Sequence, residues 1–270
     1  MNLRKKKRGF LFLEVVLIGL TIGVIFYGRY QTVQRTEGKK VEQEKETSIE
    51  RESRQAEQLP EQLPEPADTD FVKITDYIPD IVVDLKYATA DNFTGTVIYD
   101  FKDAYLRYGT VKKLAVAQEK FKAMGYYIKI WDAYRPQSAL DHFMTWKDTE
   151  DDKMKSIFYP KYSKSYLFEN DFIIEKSAHT RGSTVDLTLV DEKTGKELDM
   201  GSYFDYFGDI SSPLHNDGLT TIQIQNRMTL RHLMLDNGFI PLESEWWHYT
   251  LKDEPYPDTY FNVEVKSDGN

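Results

Sequence analysis

The sequence predicts an α+β fold in which helices flank a mainly antiparallel sheet. Segments with strand patterns and segments with helix patterns follow one another in mixed order, an arrangement typical of this class. The composition also changes at Phe71, after which about 200 residues carry all 4 tryptophans and all 5 histidines, enough for one compact core. We therefore expect a single domain over residues 70–270, preceded by segments of a different kind.

The N-terminal segment predicts a membrane anchor. Residues 1–9 are basic, and Phe10 to Tyr27 is apolar apart from Glu14, Thr21 and glycines. Eighteen helical residues at ~1.5 Å each rise about 27 Å, close to the ~30 Å hydrocarbon core of a bilayer. Because a basic flank stays in the cytoplasm, we expect residues 10–29 to be a retained, single-pass anchor in the cell membrane, with the domain extracytoplasmic. A cleaved signal peptide is the alternative, although no small-x-small cleavage site follows the apolar run.

Residues 30–69 are expected to form a flexible stalk. The segment is crowded with Glu, Gln, Lys and Arg, has almost no large apolar side chains and ends in Pro60, Pro64 and Pro66. Such a composition buries too little apolar surface to offset the entropy lost when the chain is ordered.

Each element of the predicted domain has its own local signal. Alternating or β-rich segments predict strands, and apolar residues at helical spacing predict helices, which end at Gly125 and at Asn237-Gly238. The predicted strands are 81–87, 126–131, 183–190 and 246–251, and the predicted helices are 111–124, 136–146 and 220–235. Residues 150–175 are charged, aromatic and irregular, and no element is assigned to them.

Composition excludes several classes of site. The chain has no cysteine, so a disulfide framework, a thiolate metal site and a thiol nucleophile are all excluded. Any metal must be held by nitrogen and oxygen. The net charge of −9, without a concentrated basic face beyond the extreme N-terminus, argues against a nucleic acid partner, because such binding depends on Lys and Arg neutralising phosphates.

Two short stretches carry the candidate metal site. The first contains His179 and Asp186, and the second contains Glu245 and His248. Two imidazoles and one carboxylate are a three-ligand set that leaves zinc an open position for water. Glu245 beside such a water is placed to take its proton during attack. The sequence thus predicts one zinc ion per chain in a central cleft.

The spacing of these residues also predicts local geometry. His179 and Asp186 are seven residues apart, and an odd separation on a straight strand would point them to opposite faces. Gly182 lies between them and tolerates the bend that would place His179 on a loop and Asp186 on a strand. The same parity argument puts Glu245 at a strand mouth or bulge, leaning over the metal.

These motifs carry a family resemblance over roughly residues 70 to 265. The chain resembles the zinc D-alanyl-D-alanine dipeptidases associated with vancomycin resistance, within the wider group of D-Ala-D-Ala metallopeptidases. The resemblance implies zinc-dependent hydrolysis of a small D-amino-acid peptide in peptidoglycan metabolism. The matching stretches are Ser177-x-His179-x-x-Gly182-x-x-x-Asp186, Glu245-Trp246-Trp247-His248, residues 84–95 and residues 131–136.

The resemblance also implies roles for residues outside the metal cluster. Arg135 would face the zinc and stabilise the oxyanion formed during attack, although an arginine before a proline can also simply anchor a turn. Asp205 would hold the free ammonium of the substrate, with turn capping as the alternative. Ser177, Tyr87 and Asn92 are candidate substrate contacts, and Ser177 alternatively orients the loop of His179.

Five further residues are interpreted less specifically. His142 and His232 lie in predicted helices and are interpreted as surface or packing residues, whereas a place for His215 at the cleft stays open. Trp246 and Trp247 are interpreted as a hydrophobic wall behind the metal strand rather than as substrate contacts.

Two other functions compete with the dipeptidase. An anchor would place the domain outside the membrane, where D-Ala-D-Ala occurs mainly at the end of peptidoglycan stem peptides, so a D,D-carboxypeptidase trimming those ends is the first alternative. Carboxypeptidases of this group more often show Glu-Pro-Trp-His, and here Trp246 stands in the place of the proline. The second alternative is a zinc-containing binding module without catalysis, which the presence of Glu245 and Arg135 argues against.

Overall fold

The computed structural model of the chain describes residues 65–263 and residue 265. Across this part of the chain no helix combines the length and apolar character needed to cross a bilayer. The predicted basic segment 1–9, the predicted anchor 10–29 and the predicted stalk as far as residue 64 lie outside the described residues. The end of the predicted stalk belongs to the folded domain, because the amide of Gly109 donates to the carbonyl of Asp68 over 3.0 Å.

The described residues form an α+β structure with two sheets and flanking helices, as the sequence predicts. The strands are β1 (Phe71–Lys73), β2 (Val82–Val83), β3 (Tyr105–Arg107), β4 (Tyr126–Asp132), β5 (Thr184–Asp191), β6 (Phe239–Leu242) and β7 (Glu245–Leu251). The helices are α1 (Ile74–Tyr77), α2 (Tyr108–Lys122), α3 (Gln137–Lys147), α4 (Lys155–Phe158), α5 (Lys164–Glu169) and α6 (Thr221–Asp236), with 3-10 helices at Lys86–Ala88, Ala178–Arg181 and Asp209–Ser211.

The larger sheet has the strand order β2-β4-β5-β7-β6, and β1 pairs with β3 in a second, two-stranded sheet. Only the short β2 runs parallel to its neighbour β4, and the other pairings within these sheets are antiparallel. The three central strands place Asp132, Asp186 and His248 in one row, because Asp132 pairs with Asp186 and Asp186 pairs with His248. Side chains of paired residues lie close together on one face of a sheet. The strand pairing therefore brings these three polar side chains together.

The prediction of a strand over residues 81–87 is wrong for most of that segment. Only Val82 and Val83 pair with β4, and a 3-10 helix then begins at Lys86. The carbonyl of Tyr87 accepts hydrogen bonds from the amides of Ile98 and Tyr99, both over 2.9 Å. These bonds hold the chain in a turn that buries Tyr87, so it cannot continue along the sheet edge.

The other predicted elements agree with the structure to within a few residues, and several short elements were not predicted. Helix α6 begins with a capping box in which Thr220 and Gln223 satisfy each other's backbone amides. The segment 150–175 contains α4 and α5, and β6 forms a hairpin with β7 directly after the predicted stop at Asn237-Gly238. Short elements of this kind depend on tertiary contacts more than on local periodicity.

The core packs beneath the row of polar residues on the central strands. Trp246 and Trp247 are each 1% exposed and contact each other edge to face, with ring centroids 5.4 Å apart. Trp131 and Phe204 extend this cluster. The two tryptophans therefore form the wall behind the metal strand that the sequence predicts, and this wall leaves β7 little room to shift.

Candidate active site

The structure brings the three predicted metal ligands together from three different elements. His179 lies on the 3-10 helix Ala178–Arg181, Asp186 on β5 and His248 on β7. His179 Nε2 is 3.2 Å from His248 Nδ1 and 3.2 Å from Asp186 Oδ2, and His248 Nδ1 is 3.0 Å from Asp186 Oδ1. Within the described part of the chain this is the group of His, Asp and Glu side chains close enough to share a metal ion.

Gly182 makes the predicted bend between His179 and Asp186. Its φ of +85° lies in the left-handed region, where glycine avoids the steric cost of a Cβ. A side chain there would also overlap the ring of Phe71. The hydroxyl of Ser177 accepts a hydrogen bond from the amide of His179 over 3.3 Å and so caps the 3-10 helix. Ser177 thus orients the ligand loop and also lines the cavity described below.

Hydrogen bonds of the ligands fix which atoms face the cluster. His179 Nδ1 lies 2.8 Å from the carbonyl of Ala133, so Nδ1 carries the proton and Nε2 presents its lone pair to the cluster. Burial alone would raise the pKa of the Asp186 carboxyl, but the adjacent His179 and His248 hold that pKa well below its usual value. Asp186 therefore remains an anion.

The cluster fits a small, borderline-soft metal ion. A tetrahedral zinc with bonds of about 2.0–2.1 Å places its ligand atoms roughly 3.3 Å from one another. Here the two imidazole nitrogens lie 3.2 Å apart, and each has one of the two Asp186 oxygens at 3.0 to 3.2 Å. Asp186 Oδ1 is buried and accepts no hydrogen bond, an arrangement that is costly unless a cation binds it. A nitrogen and oxygen donor set of this kind suits zinc among the common metals.

Glu245 lies at the edge of the cluster, as its predicted position implies. It is the first residue of β7, where the pairing with β6 shifts register, so that Leu242 pairs with Glu245 but Pro241 pairs with Tyr249. Glu245 Oε2 is 3.7 Å from His248 Nδ1, and 21% of its side chain stays exposed. Burial, opposed by the neighbouring charge of His248, raises the pKa of Glu245 to about 7, a value suited to a group that exchanges protons near neutral pH.

Arg135 faces the cluster and is held by a buried carboxylate. Its Nε and Nη2 donate to Asp132 Oδ2 over 2.9 and 2.7 Å, and Nη2 is 3.7 Å from Asp186 Oδ2. The guanidinium carbon lies 5.0 Å from the centre of the Tyr87 ring. Burial alone would lower the pKa of Arg135, but Asp132 raises it well above its usual value, so the group stays charged.

Asp132 and Tyr99 are site residues that the sequence analysis did not single out. The Tyr99 hydroxyl donates to Asp132 Oδ1 over 2.8 Å, which leaves the second oxygen of Asp132 for Arg135. Asp132 lies inside the motif Trp131 to Pro136. An acid three residues before an arginine was the signal in the sequence that could have identified it. Tyr99 had none, because its role depends on a partner 33 residues away.

Asp205 and Tyr87 form a second polar pair close to the cluster. The Tyr87 hydroxyl donates to Asp205 Oδ2 over 2.7 Å, and both residues are buried. Burial and repulsion from Asp186 raise the pKa of Asp205 well above its usual value. Asp205 also has a φ of +57°, which is uncommon for a residue with a side chain and fits a functional position.

These side chains enclose a cavity of about 220 Å³. Its polar side holds the metal ligands, Glu245, Arg135, Asp205, Tyr87 and Ser177, and its rim includes Phe172 and Ile174 from the segment left unassigned in the sequence analysis. The volume is below the ~300 Å³ at which sites for drug-sized ligands begin. It therefore suits a substrate smaller than a drug-sized ligand.

Asn92 does not belong to this cavity. Its amide nitrogen donates to the carbonyls of Thr89 and Thr96 over 2.7 and 2.8 Å, and its amide oxygen accepts from Thr94. These bonds occupy the whole side chain in holding the turn after Tyr87. The prediction that Asn92 is a substrate contact is corrected accordingly: its role is to shape that turn.

The remaining histidines also lie outside the cavity lining. His142 Nε2 is 3.0 Å from the hydroxyl of Thr96, and His215 Nε2 is 2.8 Å from the carbonyl of Asp217 within its own loop. His232 lies on α6. None of the three lines the cavity, which closes the question that the sequence left open for His215.

The fold and the site together define a metal-dependent hydrolase. A buried cluster of two imidazoles and one carboxylate lies beside a carboxylate of raised pKa and faces a guanidinium, and such groups activate water and stabilise charge on a carbonyl oxygen. A family model described as D-ala-D-ala dipeptidase, of the M15 peptidases, matches residues 67–266. The chain belongs to this family, and the match confirms the resemblance seen in its motifs.

Individual relatives agree with this assignment. The chain is 39% identical to a D-alanyl-D-alanine dipeptidase of Enterococcus faecalis over 198 residues, which cover 72% of this chain and 98% of the relative. It is 38% identical to a D-alanyl-D-alanine dipeptidase of Streptomyces coelicolor over 205 residues, covering 73% and 98%. A relative of the same name from Escherichia coli is 35% identical over 183 residues, covering 68% and 85%.

Proposed function

We propose that the chain is a zinc dipeptidase that hydrolyses free D-alanyl-D-alanine and acts in peptidoglycan metabolism. The observation that carries the substrate assignment is the placement of Asp205 inside the same cavity as the metal cluster. A buried carboxylate there supplies a partner for the free ammonium of a dipeptide, and the relatives that cover most of the chain are named for this activity.

His179, Asp186 and His248 would hold the zinc, which when bound acts as a Lewis acid on water and on the substrate carbonyl. Glu245 takes a proton from the attacking water and passes it to the leaving amine. In the metal-free protein its pKa is raised to about 7, and a group that titrates near neutral pH both accepts and returns a proton.

Arg135 stabilises the oxygen that becomes negative during attack. Its guanidinium is fixed by two hydrogen bonds to Asp132 and lies against the aromatic face of Tyr87. A cation held in place before the reaction costs no reorganisation when charge develops. Tyr99, through Asp132, adds to that rigidity.

Asp205 selects the free dipeptide. Burial and repulsion from Asp186 raise the pKa of its carboxyl, although Arg135 lies close enough to lower it, so an incoming ammonium would stabilise the ionised form. An acylated amine carries no positive charge and cannot form this ion pair with Asp205. The cavity therefore favours a dipeptide over the end of a longer chain.

The test compares two substrates with the zinc-loaded, full-length chain. Free D-Ala-D-Ala should be cleaved, and an N-acylated tripeptide ending in D-Ala-D-Ala should be cleaved far more slowly. Asp205→Asn should lower kcat/KM for the free dipeptide by about 100-fold or more, as expected when one partner of a buried charge pair is removed. A preference for the acylated peptide would contradict both the substrate and the role of Asp205.

A D,D-carboxypeptidase remains the second candidate because of the N-terminal sequence. The basic residues 1–9 and the apolar run after them predict an anchor that places the domain outside the membrane. Stem-peptide ends are the main source of D-Ala-D-Ala there. The substrate comparison above separates the two functions, since only the carboxypeptidase prefers the acylated peptide.

We also propose that the protein is a single-pass membrane protein with an extracytoplasmic domain. The support is the length of the apolar segment within residues 10–29 and its basic flank. Protease added outside intact spheroplasts should degrade the domain, and the chain should sediment with membranes after lysis. Protection of the domain from external protease would contradict this topology.

A further inference from the structure

The C-terminal segment Glu254–Val263, called here the C-terminal strap, is bonded to the turn that carries His179. The amide of Phe261 donates to the carbonyl of Thr180 over 3.1 Å. The carboxylate of Glu254 binds the guanidinium of Arg181 at 2.7 and 2.9 Å. The two residues that follow the metal ligand are therefore both held by the strap.

The same strap is bonded to the turn that carries Arg135. The hydroxyl of Tyr134, the residue before Arg135, donates to the carbonyl of Phe261 over 3.0 Å and accepts from the amide of Val263 over 2.7 Å. The turn before it is linked to the metal cluster, since Ala133 accepts the hydrogen bond of His179 Nδ1. Tyr134 thus links the strap to the turn that holds Arg135 and, through the neighbouring Ala133, to His179.

Arg107 contacts both the strap and the turn that carries His179. Its guanidinium carbon lies 3.8 Å from the ring centre of Phe71 and 4.1 Å from that of Phe261. Cation–π contacts of this kind gain strength when the cation is removed from water. The backbone amide of Arg107 donates to the carbonyl of Gly182 over 2.8 Å, and its Nε donates to the carbonyl of Arg181 over 3.3 Å.

None of these strap contacts involves the cavity itself. Tyr134, Phe261 and Arg107 do not line it. Phe261 and Arg107 bond backbone carbonyls of the turn that carries His179, whereas the hydroxyl of Tyr134 bonds the strap. Packing alone would be served by any apolar cover. Bonds to the carbonyls of residues adjacent to His179, and from the residue adjacent to Arg135, instead set the positions of two groups whose separation governs reaction geometry.

We propose that the C-terminal strap is a positioning element of the active site, and that Tyr134 is the positioning residue through which it acts on His179 and Arg135. The activity part of this proposal rests on the proposed dipeptidase function. Its metal-binding part does not, because His179 is positioned for a metal whatever the substrate. The strap therefore has two separable readouts.

The test is Tyr134→Phe in the full-length chain, which removes the hydroxyl and keeps the ring that packs 4.5 Å from Phe71. We expect kcat for D-Ala-D-Ala to fall about 10-fold with KM within about twofold, because misplaced groups weaken the transition state more than substrate binding. We expect zinc, competed against a chromophoric chelator, to bind several-fold more weakly. The visible absorption bands of the cobalt-substituted protein, which report ligand geometry, should shift.

Tyr159→Phe is the matched control. Tyr159 is fully buried, and its hydroxyl donates over 3.5 Å to Asp152, away from the cavity. The same atom is removed from a buried ring, so a general loss of stability should appear in both variants. The cobalt spectrum, the zinc affinity and kcat should change only in Tyr134→Phe.

Glu254→Gln tests the other arm of the strap without touching an aromatic ring. It weakens the ion pair with Arg181 and should lower zinc affinity in the same direction as Tyr134→Phe. If both variants melt at a lower temperature but keep the wild-type cobalt spectrum and zinc affinity, the strap only stabilises the fold and the proposal is overturned. A wild-type chain that binds zinc but does not cleave D-Ala-D-Ala would overturn the proposed function, while the spectra and affinities would still decide the role of the strap.

Discussion

At the scale of single residues, the site depends on charges that are buried against one another. Arg135 and Asp132 form an ion pair whose side chains are 12% and 0% exposed. Breaking such a pair by removing one partner leaves an uncompensated charge, which costs about 3–5 kcal/mol. The same holds for Asp186, whose counter-charge in the active protein is the metal. Each charged side chain of this site is therefore stabilised by its partners, and removing one of them destabilises the protein.

Glu245→Gln should abolish turnover while the metal stays bound. Glutamine keeps the size of the side chain but cannot accept the proton of water, and loss of a general base costs about 100- to 10,000-fold in rate. Because Glu245 lies beside the ligand His248 and outside the ligand set, the zinc content should remain one per chain. The measurement is kcat for D-Ala-D-Ala together with metal analysis after dialysis.

Two results would contradict that assignment. Loss of zinc from Glu245→Gln would make Glu245 a ligand, and retained activity would assign the base to another group.

Zinc affinity should fall as the pH is lowered. Burial alone would lower the pKa of His248, but Asp186 and Glu245 raise it above its usual value in the metal-free protein. A ligand imidazole must be neutral, so below that raised pKa each zinc must displace a proton from His248. The apparent zinc dissociation constant, measured by chelator competition between pH 8 and pH 6, should rise steadily. A constant value over this range would show that His248 is already neutral.

The grouping of these side chains was predictable from the sequence because their chemistry is local. His179, Asp186, His248 and Glu245 come from two short motifs whose residue types and family resemblance predict a metal site, and the structure brings the three predicted ligands together. Tyr99 could not be found in this way, since its partner Asp132 is distant in sequence. The role of Asn92 was predicted incorrectly because the residue type alone does not distinguish a buried amide that holds a turn from an amide that binds a substrate.

At the scale of elements, the turn between the 3-10 helix Ala178–Arg181 and β5 sets the site. The helix presents His179, the strand presents Asp186, and Gly182 joins them in a left-handed conformation. The turn is covered by Phe71 and Arg107 from the two-stranded sheet. The two-stranded sheet thus fixes the position of the residues that lead into β5 of the larger sheet.

Gly182→Ala should destabilise the protein by about 2–4 kcal/mol and weaken zinc binding. The left-handed conformation costs a residue with a side chain about 1–2 kcal/mol, and the new methyl group would overlap the Phe71 ring, which must then move. Chemical denaturation and chelator competition measure the two effects.

Gly125→Ala is the control for this substitution. Gly125 has a similar φ of +83°, but a side chain there meets nothing within 4 Å. It should therefore cost only the conformational part, with zinc affinity unchanged. Equal losses of stability in the two variants would mean that Phe71 yields freely and that the turn is less constrained than its contacts indicate.

Long periodic helices were predictable at this scale, and short edge elements were not. The helices α2, α3 and α6 each fall within a few residues of the predicted bounds. The predicted strand over 81–87 fails because the carbonyl of Tyr87 is used by a loop from Ile98, a contact that no local pattern contains. Strand β6 was missed because it is only four residues long and contains Pro241.

At the scale of the whole molecule, we expect metal binding and folding to be coupled. The cluster joins β5 and the turn before it to β7, which is distant in sequence. Any ion that binds the native state and not the unfolded chain stabilises the fold, by about 4 kcal/mol at a thousandfold excess over its dissociation constant.

Removal of the metal should therefore lower the melting temperature by roughly 10 °C, as about 4 kcal/mol implies for a domain of this size. Calorimetry of the zinc-loaded protein before and after chelation measures the shift. His248→Ala should lose the dependence on zinc, whereas His215→Ala, whose ring bonds its own loop, should keep it. A melting temperature that does not respond to zinc would contradict the coupling.

The row of paired residues on the central strands has a consequence for the choice of ion. Asp186 and His248 are direct partners across two antiparallel strands, so the backbone ladder fixes their Cα atoms about 4.5–5.5 Å apart. Calcium requires six to eight oxygen ligands at about 2.3–2.6 Å, and magnesium requires an octahedral shell that keeps most of its waters. A frame that cannot widen and offers two nitrogens with one carboxylate meets neither requirement. The geometry that the sheet imposes therefore suits a compact cation that prefers nitrogen ligands better than it suits calcium or magnesium.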